Sequence, residues 1–401
     1  MKKDAIIIGG GVIGCSIALR LAQSGLKVAV IERGRTGCEA SRAAAGMLSP
    51  QTEALGPGPF FDLCLQSRSM YRDFAAQLTE LSGIDVEYRD EGALSVLLAG
   101  EDESHINKWA SWQINAGMGL DPVSANDARK LEPVLTSLVS KAVRIRDDHQ
   151  VENRRLMDAL DVAARRAGVE MIEGEEVSAL AFEGNRVTGI MSKGQRRDAG
   201  AVIVAAGCWS SGLLERAGLH VNVIPARGQM LAVKGASSLI KSVVHSSKCY
   251  LVPRRDGRIL IGSTMEYAGY RKGVTAGGIN SLLSAAIELI PAIRDFEVIE
   301  TWSGLRPDTD DHLPVLGFSG VDNLFLATGH FRNGILLAPI TAELIAETLI
   351  NGRAIKELEP FTIERFESLS MNRNPQNTRL TDKVRLKAGD FEILNANNRA
   401  I

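Results

Sequence analysis

The sequence predicts an α/β protein in which a Rossmann-like parallel sheet is joined to a second, α+β domain built on a mainly antiparallel sheet. Two observations lead to this prediction. Near the N-terminus an apolar run, residues 5–8, stops at glycines and a helical pattern follows, which is typical of a buried parallel strand that enters a helix. Further on, segments 223–233, 242–263 and 297–302 alternate as strands with one exposed face do. A chain of 401 residues is long enough for both units.

Composition and charge argue against several classes of protein. The formal net charge is −2 with both signs dispersed, so there is no electrostatic case for binding nucleic acid or a charged membrane surface. We find no signal-peptide pattern and no apolar segment of about 18 to 20 residues, the length that spans a membrane. The five cysteines have neither CxxC nor metal-ligand spacing, which favours a reducing compartment and no metal site. We therefore expect a soluble, cytoplasmic protein.

The first strand and its glycines predict a nucleotide site. Gly9, Gly11 and Gly14 have the G-x-G-x-x-G spacing, in which the first glycine permits a tight turn, the second a close approach of pyrophosphate, and the third a close helix. The N–H groups at the start of that helix, residues 12–24, would face the phosphates. A second strand, residues 27–31, ends at Glu32, which should hold the ribose hydroxyls and disfavours a 2′-phosphate. FAD or NAD is therefore expected rather than NADP.

The segments that follow extend this domain. Residues 41–47 are small and end in Gly46-Met47, which suits the close approach of a flat ligand, although an ordinary Ala-rich helix start would look the same. A helix is predicted over residues 60–82, and another over 153–167 leads into a strand at 169–172. Val177 should lie beside the adenine. The buried strand from Ala201 closes on Gly207, where a plain core strand is the alternative.

Residues 84–149 are predicted to be an insertion that contributes to the second domain, with strands at 93–98 and 141–146 and a helix around Trp109 and Trp112. Asp147, Asp148 and His149 would suit a metal or an acid–base pair. They directly precede a helix, however, where negative charge is favourable, and we prefer this structural interpretation.

Three residues interrupt the strand pattern of the second domain. Tyr250 lies among apolar strand residues, Met265 ends the next strand, and Arg306 follows a further strand between Gly304 and Pro307. The glycine and the proline favour a fixed position for Arg306, although an ordinary surface arginine is an equal alternative.

The last motif has the same order of strand, glycine turn and helix as the first. A strand beginning at residue 324 ends at Gly329, and a helix is predicted over residues 335–351. The N-terminus of that helix would stabilise the negative charge that a bound flavin ring gains on reduction. Of the six histidines, His330 is the best acid–base candidate. The motif, however, explains the position of its backbone better than it explains a role for its ring.

Together these motifs resemble the D-amino-acid oxidase family of flavoproteins, in particular its glycine-oxidising, thiamin-pathway branch, over residues 4–365. Segments 43–48, 304–307 and 329–339 carry most of the likeness. The resemblance implies non-covalent FAD bound by a Rossmann-like domain of the GR2 type, and oxidation of small amines and D-amino acids to imines with O2 reduced to H2O2. It also implies a homo-oligomer, either a dimer or a tetramer. The domain assignment is 1–83, 150–215 and 320–365 for FAD, 84–149 and 216–319 for substrate, and 366–401 for a polar tail.

Carried over residue by residue, Arg306 pairs with the substrate carboxylate, Tyr250 hydrogen-bonds to it, Met265 lines the pocket, and Arg332 acts through its backbone near the amine. Lys248 stands where the family has a histidine, and Arg42 replaces a small polar residue near the flavin. The cofactor residues implied are Gly9, Gly11, Val12, Ile13, Gly14, Glu32, Arg33, Ser41, Arg42, Ala45, Gly46, Met47, Val177, Ala206, Gly207, Trp209, Arg306, His330, Phe331, Arg332, Asn333, Gly334, Ile335 and Leu336. Two alternatives stay open, a D-amino-acid dehydrogenase that reduces a quinone and a non-catalytic flavin-binding module.

Overall fold

The computed structural model describes residues 2–54, 56–235 and 239–366, so the predicted polar tail lies outside the described residues except for residue 366. Most of the described strands belong to two eight-stranded sheets. In chain order the strands are β1 (Lys3–Ile8), β2 (Val28–Ile31), β3 (Met47–Leu48), β4 (Ala93–Leu98), β5 (Leu120–Ser124), β6 (Val139–Ile145), β7 (His149–Gln150), β8 (Glu170–Ile172), β9 (Val177–Glu183), β10 (Arg186–Ser192), β11 (Gln195–Val204), β12 (Val223–Lys234), β13 (Val243–His245), β14 (Tyr250–Pro253), β15 (Arg258–Gly262), β16 (Glu297–Thr309), β17 (Val315–Phe318) and β18 (Leu324–Thr328). The helices are α1 (Val12–Gln23), α2 (Ala40–Ala43), α3 (Pro59–Ser82), α4 (Glu103–Asn115), α5 (Ala125–Leu131), α6 (Asn153–Arg166), α7 (Ser210–Glu215), α8 (Ala276–Leu289) and α9 (Gly334–Asn351).

The first sheet has the order β17-β18-β11-β1-β2-β8, and its central strands are parallel. Because β1 is central and buried, its apolar run packs on both sides. One face contacts α1, α3, α6 and α9, while the other packs against the hairpin of β9 and β10. The Rossmann-like sheet predicted from the glycine-ended strands is therefore present.

Helix α9 corrects the expectation that no segment is long and apolar enough to span a membrane. Its 18 residues have a mean hydropathy of 1.4, and by length and composition alone it passes that test. However, 67% of the helix is buried inside the protein, where it packs against α1 and α3. A helix that is apolar on all sides is also what the core of a large soluble protein requires.

The second sheet has the order β16-β12-β15-β14-β13-β4-β6-β5, and it is antiparallel except where β13 meets β4. This agrees with the mainly antiparallel sheet predicted. The predicted exposed face is wrong for β12, because ten of its twelve residues are buried. Leu231 and Val233 pack against α8, which the sequence analysis missed, while Met230 and Ala232 pack on the opposite face with Tyr250.

Two local predictions are also corrected. Arg306 does not follow a strand but lies inside β16, opposite Ala226 of β12. Because β16 is the edge strand, Pro307 can lie within it without removing a hydrogen bond from an interior ladder. Asp148 does not stabilise the start of α6, whose N-cap is Glu152. Asp148 is buried and accepts hydrogen bonds from the backbone of residues 51 and 52.

Candidate active site

A cavity of about 480 Å³ lies where the carboxyl ends of β1, β2 and β11 meet β12 and β16 of the second sheet. Ligands of open α/β sheets bind at such strand ends. The predicted cofactor residues that line this cavity are Gly9, Gly11, Val12, Ile13, Glu32, Arg33, Ser41, Ala45, Gly46, Met47, Val177, Ala206, Gly207, Trp209, Arg306, His330, Phe331, Arg332, Asn333, Gly334 and Ile335.

Three of the predicted cofactor residues do not line the cavity. Gly14 lies behind Gly9, where an added Cβ would be 2.0 Å from the Gly9 carbonyl oxygen, so its role is the close packing of α1. Arg42 points away and forms an ion pair with Asp158 at 2.6 Å. Leu336 lies in the first turn of α9 and is buried in the hydrophobic core. Direct contact of the Arg42 and Leu336 side chains with a ligand in the cavity is thus not supported.

Two features of the cavity fit an adenine dinucleotide: the starts of two helices and the carboxylate of Glu32. Helices α1 and α9 both begin at the cavity, and neither N-cap residue caps its helix with its side chain. In α1 the Val12 N–H donates to Ser41 Oγ at 2.9 Å, and further N–H groups of the two first turns are left for a ligand. Glu32 accepts hydrogen bonds from the backbone N–H of Gly10 at 2.8 Å and of Gly34 at 2.7 Å, which fixes its carboxylate at the ribose position. Each oxygen of that carboxylate keeps a lone pair for a ribose hydroxyl.

On the side of the second sheet, Arg306 of β16 presents a cation to the cavity. Its Nη2 donates to Ser263 Oγ at 2.6 Å and its Nη1 to the Thr264 carbonyl at 3.2 Å. Among the residues that the structure describes, no carboxylate forms an ion pair with Arg306. Burial lowers its pKa, which means that the charged form lacks full compensation. A buried cation without an anionic partner is a site for an anionic ligand.

Glycines make room for this end of the site. An added Cβ at Gly228 would lie 2.2 Å from Arg306 Nη2, and one at Gly262 would lie 2.6 Å from the Tyr250 hydroxyl. Tyr250 is buried, lines the cavity, and directs its hydroxyl toward Met230 Sδ at 3.7 Å. The second sheet therefore places a guanidinium and a phenol on the same cavity.

Met265 does not line the cavity as predicted. Its Sδ lies 3.8 Å from Arg306 Nη1, so Met265 contacts the guanidinium without lining the cavity. Met230 occupies the cavity wall beside Tyr250 instead. The alternation along β12 could have identified this residue, since Met230 shares a face with Gly228.

Arg332 lines the cavity and its side chain forms an ion pair there, whereas the family resemblance implied only a backbone role for this residue. Its Nη2 donates to Glu53 Oε1 at 2.6 Å. Burial alone would lower the pKa of Arg332, but the charges of Glu53 and Tyr250 and the hydrogen bond to Glu53 together outweigh burial, and the pKa is raised. Glu53 also lines the cavity and was missed, because no motif marks the irregular segment that carries it.

Two histidines near the site, His330 and His245, are buried and neutral. The ring of His330 lies 3.1 Å from Thr341 Oγ1, and burial lowers its pKa to about 3, so the ring is a structural part of the core. His245 lies beside Tyr250 with 6.1 Å between ring centroids, and burial lowers its pKa to about 4. Lys248 is exposed and pairs with Glu288 at 2.6 Å, so it does not replace a histidine inside the cavity.

The chain is similar to known flavoproteins over most of its length. The family model of FAD-dependent oxidoreductases named DAO matches residues 4–348. Glycine oxidase of Bacillus licheniformis is 34% identical over 370 residues, which is 92% of this chain and 99% of that protein. The crystal structure of glycine oxidase from Geobacillus kaustophilus superposes with a TM-score of 0.87 at 35% identity, covering 90% of this chain and 98% of that one.

A second group of relatives is longer. The bifunctional protein ThiO/ThiG of Synechocystis is 38% identical over 372 residues, which is 91% of this chain but 54% of that protein. This chain therefore spans about half the length of the bifunctional relatives that it matches.

Proposed function

The chain belongs to the DAO family of FAD-dependent oxidoreductases, and from that premise we propose that it oxidises glycine and other small amines or D-amino acids. The resemblance, the fold class and the FAD cofactor predicted from the sequence are confirmed. The observation that carries the proposal is Arg306, a cation that pairs with no carboxylate among the described residues and that lines the same cavity as the glycines and Glu32 of the dinucleotide motif. The relatives named glycine oxidase support glycine as the first substrate to test.

Arg306 and Tyr250 bind the carboxylate in this proposal. A guanidinium offers two parallel N–H donors to a carboxylate, and the Tyr250 hydroxyl, which has only a weak sulfur acceptor nearby, adds a third. The amine then points toward Glu53, whose negative charge is shared with Arg332. This arrangement favours an α-amino acid, because the two ends of the substrate meet opposite charges.

The side chains of the site position the substrate and do not act as a general base. Tyrosine is a poor base at neutral pH, and the arginines stay protonated. The His330 ring is hydrogen-bonded to Thr341, and Glu53 is held in its ion pair with Arg332. Bound FAD would supply the acceptor for the hydride from the substrate Cα and the route by which the electrons reach O2, which with two protons gives H2O2. The imine product leaves the site for hydrolysis or for a consuming enzyme.

The names of the bifunctional relatives support a further part of the proposal, that the imine serves thiazole formation in thiamin synthesis. All five cysteines are unpaired, in keeping with a cytoplasmic location. The homo-oligomeric state, the domain boundaries and the individual cofactor contacts stay predictions.

The test is oxidation of glycine, sarcosine and a panel of D-amino acids by FAD-loaded protein, with O2 consumption and peroxide recorded together. Arg306→Ala is the matched control, since it should lose affinity for carboxylates while retaining FAD. We expect O2 consumption without an added acceptor. Turnover only with a quinone analogue would establish the dehydrogenase instead, and no turnover with either acceptor would leave a flavin-binding module.

A further inference from the structure

We propose that Arg254 is a positioning residue for the cofactor, which fixes the Ala45–Gly46 peptide so that the N–H of Gly46 faces the cavity. Arg254 directly follows β14 of the second sheet, and its side chain reaches across to the segment before β3. Only 6% of the residue is exposed. It does not line the cavity, whereas Ala45 and Gly46 do, so any influence on a ligand must pass through this segment.

The hydrogen bonds of Arg254 define the orientation of the peptide. Its Nη2 donates to the Ala45 carbonyl at 2.7 Å, and its Nη1 donates to the Val151 carbonyl at 3.0 Å. In a planar trans peptide the C=O and the N–H point in opposite directions. With the Ala45 oxygen held by the guanidinium on the outer side, the Gly46 N–H is directed to the inner side, which is the cavity.

Asn153 extends this arrangement. Its Oδ1 accepts from Arg254 Nη2 at 3.1 Å, and its Nδ2 donates to the carbonyls of Ser41 at 2.9 Å and Arg42 at 3.1 Å. Asn153 is also buried and away from the cavity. Three carbonyl groups of segment 41–45 are thus held from the outer side by two side chains.

The charge of Arg254 is retained at neutral pH. Burial lowers its pKa to about 10, and Glu152 Oε1, 3.8 Å from Nε, provides the compensating charge. Hydrogen bonds from a charged donor are stronger than neutral ones and hold the peptide in one orientation before the ligand arrives. Without them, the ordering of segment 41–46 has to be completed on binding, which weakens affinity.

The test compares Arg254→Met with Arg255→Met, because the neighbouring Arg255 loses the same charge but is half-exposed and pairs with Asp85 on the surface. Apoprotein of each variant is titrated with FAD and the quenching of flavin fluorescence is followed. We expect the Kd for FAD to rise about 10- to 100-fold in Arg254→Met, the range that loss of charge-assisted bonds predicts, and to stay within about twofold in the control. Arg254→Lys keeps the charge and should recover part of the affinity. The visible absorption bands of the bound flavin should shift in Arg254→Met alone.

A folded Arg254→Met apoprotein that binds FAD within about twofold of wild type, with an unshifted flavin spectrum, would overturn the proposal. A lower Tm without a change in Kd would do the same, since it would make Arg254 a stabiliser of the fold only. If Arg254→Met does not fold, Arg254→Lys and Asn153→Ala decide in the same assay. Wild-type affinity in both would refute the positioning role.

Discussion

Gly228→Ala should move Arg306 without removing it. Gly228 lies on β12 beneath the guanidinium, and an added Cβ would be 2.2 Å from Nη2, where ordinary contacts begin at 3.4 Å. The guanidinium would have to retreat by about 1.2 Å, or β12 and β16 would have to separate. Separation is resisted, because the two strands pair along the whole length of β16. The side chain is therefore the part that shifts.

The expected cost follows from that displacement. A shift of about 1 Å in a group that orients substrate can reduce catalysis by about 10²-fold. We expect kcat/KM for glycine to fall by about 10- to 100-fold, mainly through KM, because the paired hydrogen bonds to the carboxylate are lost. FAD content should be unchanged, since Gly228 lies on β12 of the second sheet, whereas the glycines and Glu32 of the dinucleotide motif follow β1 and β2 of the first sheet.

The assay is steady-state peroxide formation over a range of glycine concentrations, with FAD occupancy and Tm measured on the same samples. Gly277→Ala, in the first turn of α8, is the matched control, because an added Cβ there meets nothing within 4 Å. A folded, FAD-loaded Gly228→Ala enzyme with wild-type KM for glycine would show that the carboxylate does not bind at Arg306.

Three further outcomes are expected. Tyr250→Phe should raise KM for glycine but reduce its flavin at a comparable rate in stopped flow; a limiting rate slower by about 10²-fold would identify a general base after all. Acid should release all flavin from the protein, because burial raises the pKa of the cavity-lining Cys208 thiol to about 12 and makes it a poor nucleophile; colour in the precipitate would contradict this. Burial also raises the pKa of Asp148 from 3.8 to about 6, so its contribution to stability, complete below pH 4, is lost as the pH rises through 6. Asp148→Asn should reduce the pH dependence of the free energy of unfolding, measured in urea, over that range. An unchanged pH dependence would place the titrating group elsewhere.

The sequence predicted those features that depend on local chemistry. The glycines after β1 and Glu32 after β2 are found at the cavity because turn, strand and helix all follow from neighbouring residues. Glu53 was out of reach, because its pairing with Arg332 joins positions 279 residues apart and neither lies in a motif that names the other. The buried faces of β12 were missed for a similar reason. One face depends on α8, which covers the sheet from a later part of the chain, and the other packs with Tyr250 of β14.

The order of strands in the first sheet has a consequence for biosynthesis. β1 pairs with β11, which is made about two hundred residues later, and β18 joins the sheet beside β11 only at residues 324–328. The start of α9, which closes the cavity at Ile335, comes later still. β12 to β16, by contrast, form one continuous stretch of chain and are all synthesised before β18. On the ribosome, the nascent chain can therefore pair these five strands before β18 joins the first sheet, and it can retain its cofactor only after nearly all of the described residues have emerged.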